Sequence, residues 1–215
     1  MNQTKAVIFD MDGVIIDSEL LGDQHRKEYF SKYGVTFPDG YFEQLRGLPP
    51  KPYYAKIVKD FKLPLTIDDF IEHAKKDFID FLKTQKDLKP VPGVKQLIIQ
   101  LRDKGYKVAV ASSANPKRVE FLIKQFNMEK LFDVVTNSDN VMHGKPAPDI
   151  YLYTAKLLQV EPAFCLVIED AKNGVEAAKA AGMKVIGFAG LPHNKQDLSK
   201  TDRIIKSFDE LEMSF

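Results

Sequence analysis

The chain has 215 residues, of which 44% are hydrophobic, and its 31 basic and 30 acidic side chains leave a net charge of +1. It is long enough to bury a core of its own, while the charge balance offers neither the electrostatic footprint of a nucleic-acid binder nor a polybasic tail for a membrane. The single cysteine, Cys165, excludes an internal disulfide framework and fits a reducing compartment.

The first predicted strand is Ala6–Asp10, a short apolar run that ends in Asp10-Met11-Asp12-Gly13. It is too short for a signal peptide, and no later run suits a membrane helix, so the expectation is a cytoplasmic protein. In extended chain, residues two apart point the same way. Asp10 and Asp12 therefore face one site, with Met11 turned from it. Two carboxylates at the end of a buried strand are costly unless a cation or a reaction uses them. An EF-hand is excluded, because its glycine is the sixth loop residue and Gly13 is fourth counting from Asp10.

From about Ser18 to Asp87 the pattern changes. No strand is evident, and Ile67, Phe70, Ile71, Ala74, Phe78, Phe81 and Leu82 form a helical stripe. Phe37-Pro38-Asp39-Gly40 and Leu48-Pro49-Pro50 punctuate further helices, and Tyr53 and Tyr54 fit the core of such a region. A helical insert over 18–87 thus interrupts an α/β region made of 1–17 and 88–215, with crossings near Val14–Ser18 and Leu88–Pro92.

After the crossing, strands alternate with amphipathic helices. The strands are Lys107–Ser112, Val134–Asn137, Cys165–Asp170, Lys184–Phe188 and a weaker Arg203–Ile205. The helices are Val94–Lys104, Lys117–Phe126, Ile150–Leu158 and Gly174–Ala181. Such alternation predicts an α/β fold with a parallel sheet. Cys165 lies inside an apolar run and reads as a core thiol. His25, His73, His143 and His193 have no zinc spacing and read as surface or structural residues. No coiled coil or repeat demands assembly, so a monomer is expected.

Three strands finish in polar residues: Asp10 with Asp12, Ser112 with Ser113, and Glu169 with Asp170. In open parallel sheets, ligands bind outside the C-terminal strand ends where strand order reverses. Carboxylates there suit Mg²⁺, which takes a few acids, waters and substrate phosphate. Ser112-Ser113-Ala114-Asn115-Pro116, before a helix, can hold a phosphoryl group, although read alone the segment is more simply an ordinary helix cap by Ser113 or Asn115. Lys145, opening Lys145-Pro146-Ala147-Pro148-Asp149, could neutralise phosphate charge or simply be a solvated loop lysine.

Taken together, Asp10-Met11-Asp12-Gly13-Val14, Ser112-Ser113, Lys145-Pro146-Ala147-Pro148-Asp149 and Ile168-Glu169-Asp170 resemble the four ordered motifs of the haloacid dehalogenase superfamily. The chain is similar to its phosphatase and phosphomutase branch, and within that to the β-phosphoglucomutase-like sugar-phosphate phosphatases, whose helical cap follows the first strand. The resemblance implies a Rossmann-like core with the first strand central, between the Ser112 and Glu169 strands. It implies Asp10 as nucleophile forming an aspartyl-phosphate, and Asp12 as general acid and then base. It implies Mg²⁺ held by Asp10, the Asp12 carbonyl and Asp170, with Glu169 in or near the set, and phosphoryl oxygens held by Ser112, the Ser113 amide and Lys145. The substrate would be a small phosphorylated metabolite. Arg46 and Lys51 in the insert are the candidates for contact with it.

The mutases of that branch place a histidine after the first motif and an arginine in the cap turn. Those places fall here on Gly22 and Pro50, which favours a phosphatase over a mutase. A non-catalytic binder of phosphorylated ligands would have no use for both Asp10 and Asp12.

Overall fold

A computed structural model describes residues 4–45, 48, 50–64 and 66–211, apart from the side chains of 50, 69 and 72–77. In chain order the elements are β1 (Ala6–Phe9), α1 (Ser18–Ser31), α2 (Pro50–Asp60), α3 (Ile67–Thr84), α4 (Val94–Asp103), β2 (Lys107–Ala111), α5 (Pro116–Gln125), β3 (Val134–Thr136), α6 (Asp149–Leu158), β4 (Cys165–Glu169), α7 (Lys172–Ala180), β5 (Lys184–Phe188) and β6 (Arg203–Ile205). They divide into two compact units, Met1–Asp17 with Lys89–Phe215, and Ser18–Leu88.

In the first unit six strands form one parallel sheet in the order β3-β2-β1-β4-β5-β6. As expected, β1 is central, pairing Ala6 with Lys107 on one side and with Cys165 on the other. Parallel strands covered on both faces read as continuous apolar runs, and every residue of β1 and β4 is buried. Strand order reverses at β1, and in open parallel sheets it is outside the C-terminal ends of the strands at such a point that ligands bind.

The predicted helical stripes become the buried faces. Val94, Leu97, Ile98 and Leu101 of α4 and Val119, Leu122 and Ile123 of α5 are buried. Asn115 caps α5, its side chain accepting from the Arg118 amide at 2.9 Å, with Pro116 in the first turn. Cys165 is buried, and burial pushes its thiol up to about 11. Helix α7 starts at Lys172 rather than at Gly174. Gly174 lies inside the helix, where a Cβ would stand 1.6 Å from Glu169 Oε1. The close approach of that carboxylate, rather than a helix start, explains the glycine.

The second unit is helical, with no strand among its described residues. Its core is aromatic: Phe30, Phe37, Tyr41, Phe42 and Phe70 are buried together, with Tyr53 and Tyr54 packed against them. His25 is buried against the rings of Phe78 and Phe81, at 5.3 and 5.2 Å between centroids. A cavity of about 120 Å³ in this unit is lined by Glu19, Asp23, Arg26, Phe42 and Tyr53 among others. His73 and the Ala74 of the predicted stripe fall outside the described side chains. Among the described residues no helix is long and apolar enough to cross a membrane.

Candidate active site

The polar strand ends meet. Asp10 follows β1, Ser112 follows β2, Asp170 follows β4, and Glu169 is the last residue of β4. Carboxylate oxygens of Asp10, Glu169 and Asp170 lie within 4.8 Å of one another. Asp10 and Glu169 are buried and Met11 is fully enclosed. The chain turns sharply after Asp12: the Gly13 amide donates to Ile16 O at 2.7 Å, and Gly13 has φ +82°. A Cβ on Gly13 would stand 1.9 Å from Asp170 Oδ2. Only glycine combines that backbone conformation with so close a carboxylate.

Lys145 is not a solvated loop lysine. Its side chain is only 8% exposed. The ammonium donates to Asp10 Oδ1 at 2.5 Å, to Glu169 Oε1 at 2.7 Å and to Ala111 O at 3.3 Å, and it lies 4.8 Å from the Tyr151 ring centroid. The Lys145–Pro146 peptide is cis. Burial opposes the ammonium, yet Asp10 and Glu169 raise it well above the ordinary lysine value. Burial, then Glu169 and Asp12, lift Asp10 to about 7 against the pull of Lys145. Burial, and the neighbouring Glu169, Asp10 and Asp12, likewise push Asp170 well above the usual carboxylate range.

Glu169 is saturated by protein donors. Oε1 accepts from Lys145 and from the Tyr151 hydroxyl at 2.8 Å, and Oε2 accepts from the Asp170 and Ala171 amides at 2.9 and 3.0 Å. Asp170 is held differently. Asn194 Nδ2 donates to its carbonyl at 2.9 Å and to Oδ2 at 3.0 Å. The Asp12 carboxylate is not a member of that cluster of three and is ion-paired with Arg118. Among the described residues, the four carboxylates form ion pairs with Lys145 and Arg118. The remaining negative charge and the all-oxygen donor set fit a hard divalent cation.

Ser112 is fully buried, its amide donating to Thr136 O at 3.1 Å while its Oγ accepts from the Ala114 amide at 3.0 Å. Ser113 is exposed. Because Asn115 takes the capping role, neither serine is needed for it. Lys51 lies in the other unit, well exposed, with Asp68 3.7 Å away; Arg46 is outside the described residues.

A haloacid dehalogenase-like hydrolase model matches residues 7–188, most of the chain and all four motifs. The chain belongs to that family. It is an enzyme, a haloacid dehalogenase-like hydrolase. It is 36% identical over 213 residues to the bifunctional riboflavin kinase/FMN phosphatase of Arabidopsis thaliana, covering 98% of itself and 55% of that protein, about half its length. It is 32% identical over 197 residues to a phosphorylated carbohydrates phosphatase of Thermotoga maritima, covering 90% of itself and 88% of the relative. The crystal structure of CbbY from Rhodobacter sphaeroides in complex with phosphate superimposes with a TM-score of 0.81 at 28% identity, covering 97% of this chain and 96% of that one.

Among the residues in contact with these acids, Tyr151, Asn194, Arg118 and Gly174 are not singled out by the sequence. Tyr151 and Gly174 look like helix interior, and Asn194 like a turn residue. Arg118 alone carried a signal: a cation in the first turn of α5 opposes the helix dipole and so calls for another partner.

Proposed function

We propose that this hydrolase is a phosphatase of small phosphate monoesters, most simply sugar phosphates, working through an aspartyl-phosphate on Asp10. The observation that carries the reading is Asp10 itself: a buried carboxylate ending the central strand, held by Lys145, with a second acid two residues on. Asp10 Oδ attacks phosphorus and the ester oxygen leaves as the alcohol, protonated by Asp12. Asp12 then takes a proton from the water that cleaves the aspartyl-phosphate, returning free Asp10 and inorganic phosphate. Lys145 fixes Asp10 and offsets charge, and Ser112 with the Ser113 amide offers donors to the phosphoryl oxygens.

Mg²⁺ would be held by Asp10, Asp170 and the main-chain carbonyl of Asp12, and when bound it would let an anionic carboxylate approach an anionic phosphate. Glu169, with both oxygens occupied, contributes more to holding Lys145 than to the ion. The helical unit over 18–88 acts as the cap that chooses the alcohol. A phosphatase reading is preferred to a mutase because Gly22, buried in α1, stands where the mutases of this branch place a histidine, and Pro50 where they place an arginine.

The test is a panel of sugar phosphates, phosphoglycolate and nucleotides with purified protein. Phosphate release that EDTA stops and Mg²⁺ restores is expected; a chain inert across the panel would return the non-catalytic binder. With β-glucose 1-phosphate and catalytic glucose 1,6-bisphosphate, free phosphate is expected and glucose 6-phosphate is not.

Mg²⁺ also has a stability signature. At about 100 times its Kd it adds roughly 2.7 kcal/mol, or about 5–10 °C in Tm. The gain is expected at pH 8 and largely absent at pH 5. Asp10 and Asp170 have raised folded-state values, so they hold protons at the lower pH and the ion must displace them. A Mg²⁺ shift independent of pH would contradict the assignment of these ligands.

A further inference from the structure

Arg118 sits in the first turn of α5, where a positive charge opposes the helix dipole. Its neighbour Lys117 is exposed, but Arg118 is folded inward, its side chain 18% exposed, and its Nη2 donates to Asp12 Oδ1. The two residues are 106 positions apart in the chain, so the pair is made by the fold alone. Side-chain donors divide among the acids of the site. Lys145 takes Asp10 and Glu169, Asn194 takes Asp170, and Arg118 takes Asp12. Asp12 is also the one acid outside the carboxylate cluster, although it stands two residues from Asp10 and can face the same side. A carboxylate so placed and left without a partner would be drawn to the cation that the cluster is suited to hold.

We propose that Arg118 is the positioning residue for Asp12. Its guanidinium, through Nη2, holds the Asp12 carboxylate on the α5 side, out of the metal cluster, in the place from which it serves the oxygen of the departing alcohol. The proposal rests on the reading of Asp12 as acid and base.

The test compares two esters with the full-length protein and Mg²⁺. p-Nitrophenyl phosphate has a leaving group that departs without a proton. The sugar phosphate turned over fastest in the panel needs one. Arg118→Ala should lower kcat/KM about 10²-fold for the sugar phosphate and less than about threefold for p-nitrophenyl phosphate. Arg118→Gln, which keeps much of the side-chain bulk without the charge, should give the same split with an unchanged circular dichroism spectrum. Asp12→Asn should show the split too, and the double variant should be no worse than Asp12→Asn alone. Equal losses on both esters, or none, in the Arg118 variants while Asp12→Asn splits them would overturn the role of Arg118 only. No split in Asp12→Asn would overturn the acid role of Asp12, and this proposal with it.

Discussion

Asp10→Asn is expected to abolish turnover, by about 10⁴-fold or more as for other nucleophile deletions, and at the same time to raise the stability of the metal-free protein at pH 8. The two effects share one cause. Burial, Glu169 and Asp12 lift the Asp10 carboxyl from 3.8 to about 7 even with Lys145 beside it. A group with a raised folded-state value contributes stability that is fully present below its unfolded value and is lost as pH rises through the folded one. Above pH 7 the protein therefore carries an ionised Asp10 at a cost that the neutral asparagine does not incur. Thermal melts in EDTA should show the variant above the parent at pH 8, with the gap closing toward pH 4. Phosphate release gives the other half. Substantial residual turnover would sink the covalent mechanism, and a lower melting temperature at pH 8 would sink the electrostatic account of the site.

Lys145→Met should act in the opposite direction on stability. It removes the buried cation while leaving Asp10, Glu169 and Asp170 within 4.8 Å of one another. Deleting one member of a buried pair typically costs about 3–5 kcal/mol, because the other charge is left uncompensated. Urea unfolding at pH 8 without metal should show a loss of that order, shrinking as pH falls and Asp10 and Asp170 take up protons. Activity should fall about 10²–10³-fold, the scale of one lost electrostatic contact to a transition state. A variant as stable as the parent at pH 8 would mean that the ammonium does not hold the acids together.

Much of the fold was legible because its causes are local. Apolar runs of four or five residues mark buried strands, the 3.6-residue stripes in α4 and α5 mark their buried faces, and their alternation dictates a parallel sheet. The site was legible because three strand ends carried polar residues, two of them acids and one a pair of serines, and a parallel sheet brings such ends together. Lys145 was ambiguous from its loop alone, and its burial among carboxylates resolves it. Tyr151 and Gly174 were hidden by their helices. A buried tyrosine looks the same in sequence whether or not its hydroxyl reaches an acid, and a helical glycine does not announce which side chain occupies its missing Cβ.

The amino-acid sequence by itself determined the chemistry on offer and where along each element it lies: two acids two residues apart after a buried strand, hydroxyls before a helix, a lysine before prolines and an acidic pair after another strand. Only the tertiary structure decided the pairing. Lys145 and Asp10 are 135 residues apart and Arg118 and Asp12 are 106. Periodicity and propensity act over a few residues, whereas an ion pair depends on which elements the sheet order places side by side. The division of the acids, with Lys145 and Glu169 around Asp10 and Arg118 beside Asp12, is therefore a property of the assembled sheet and of no segment within it.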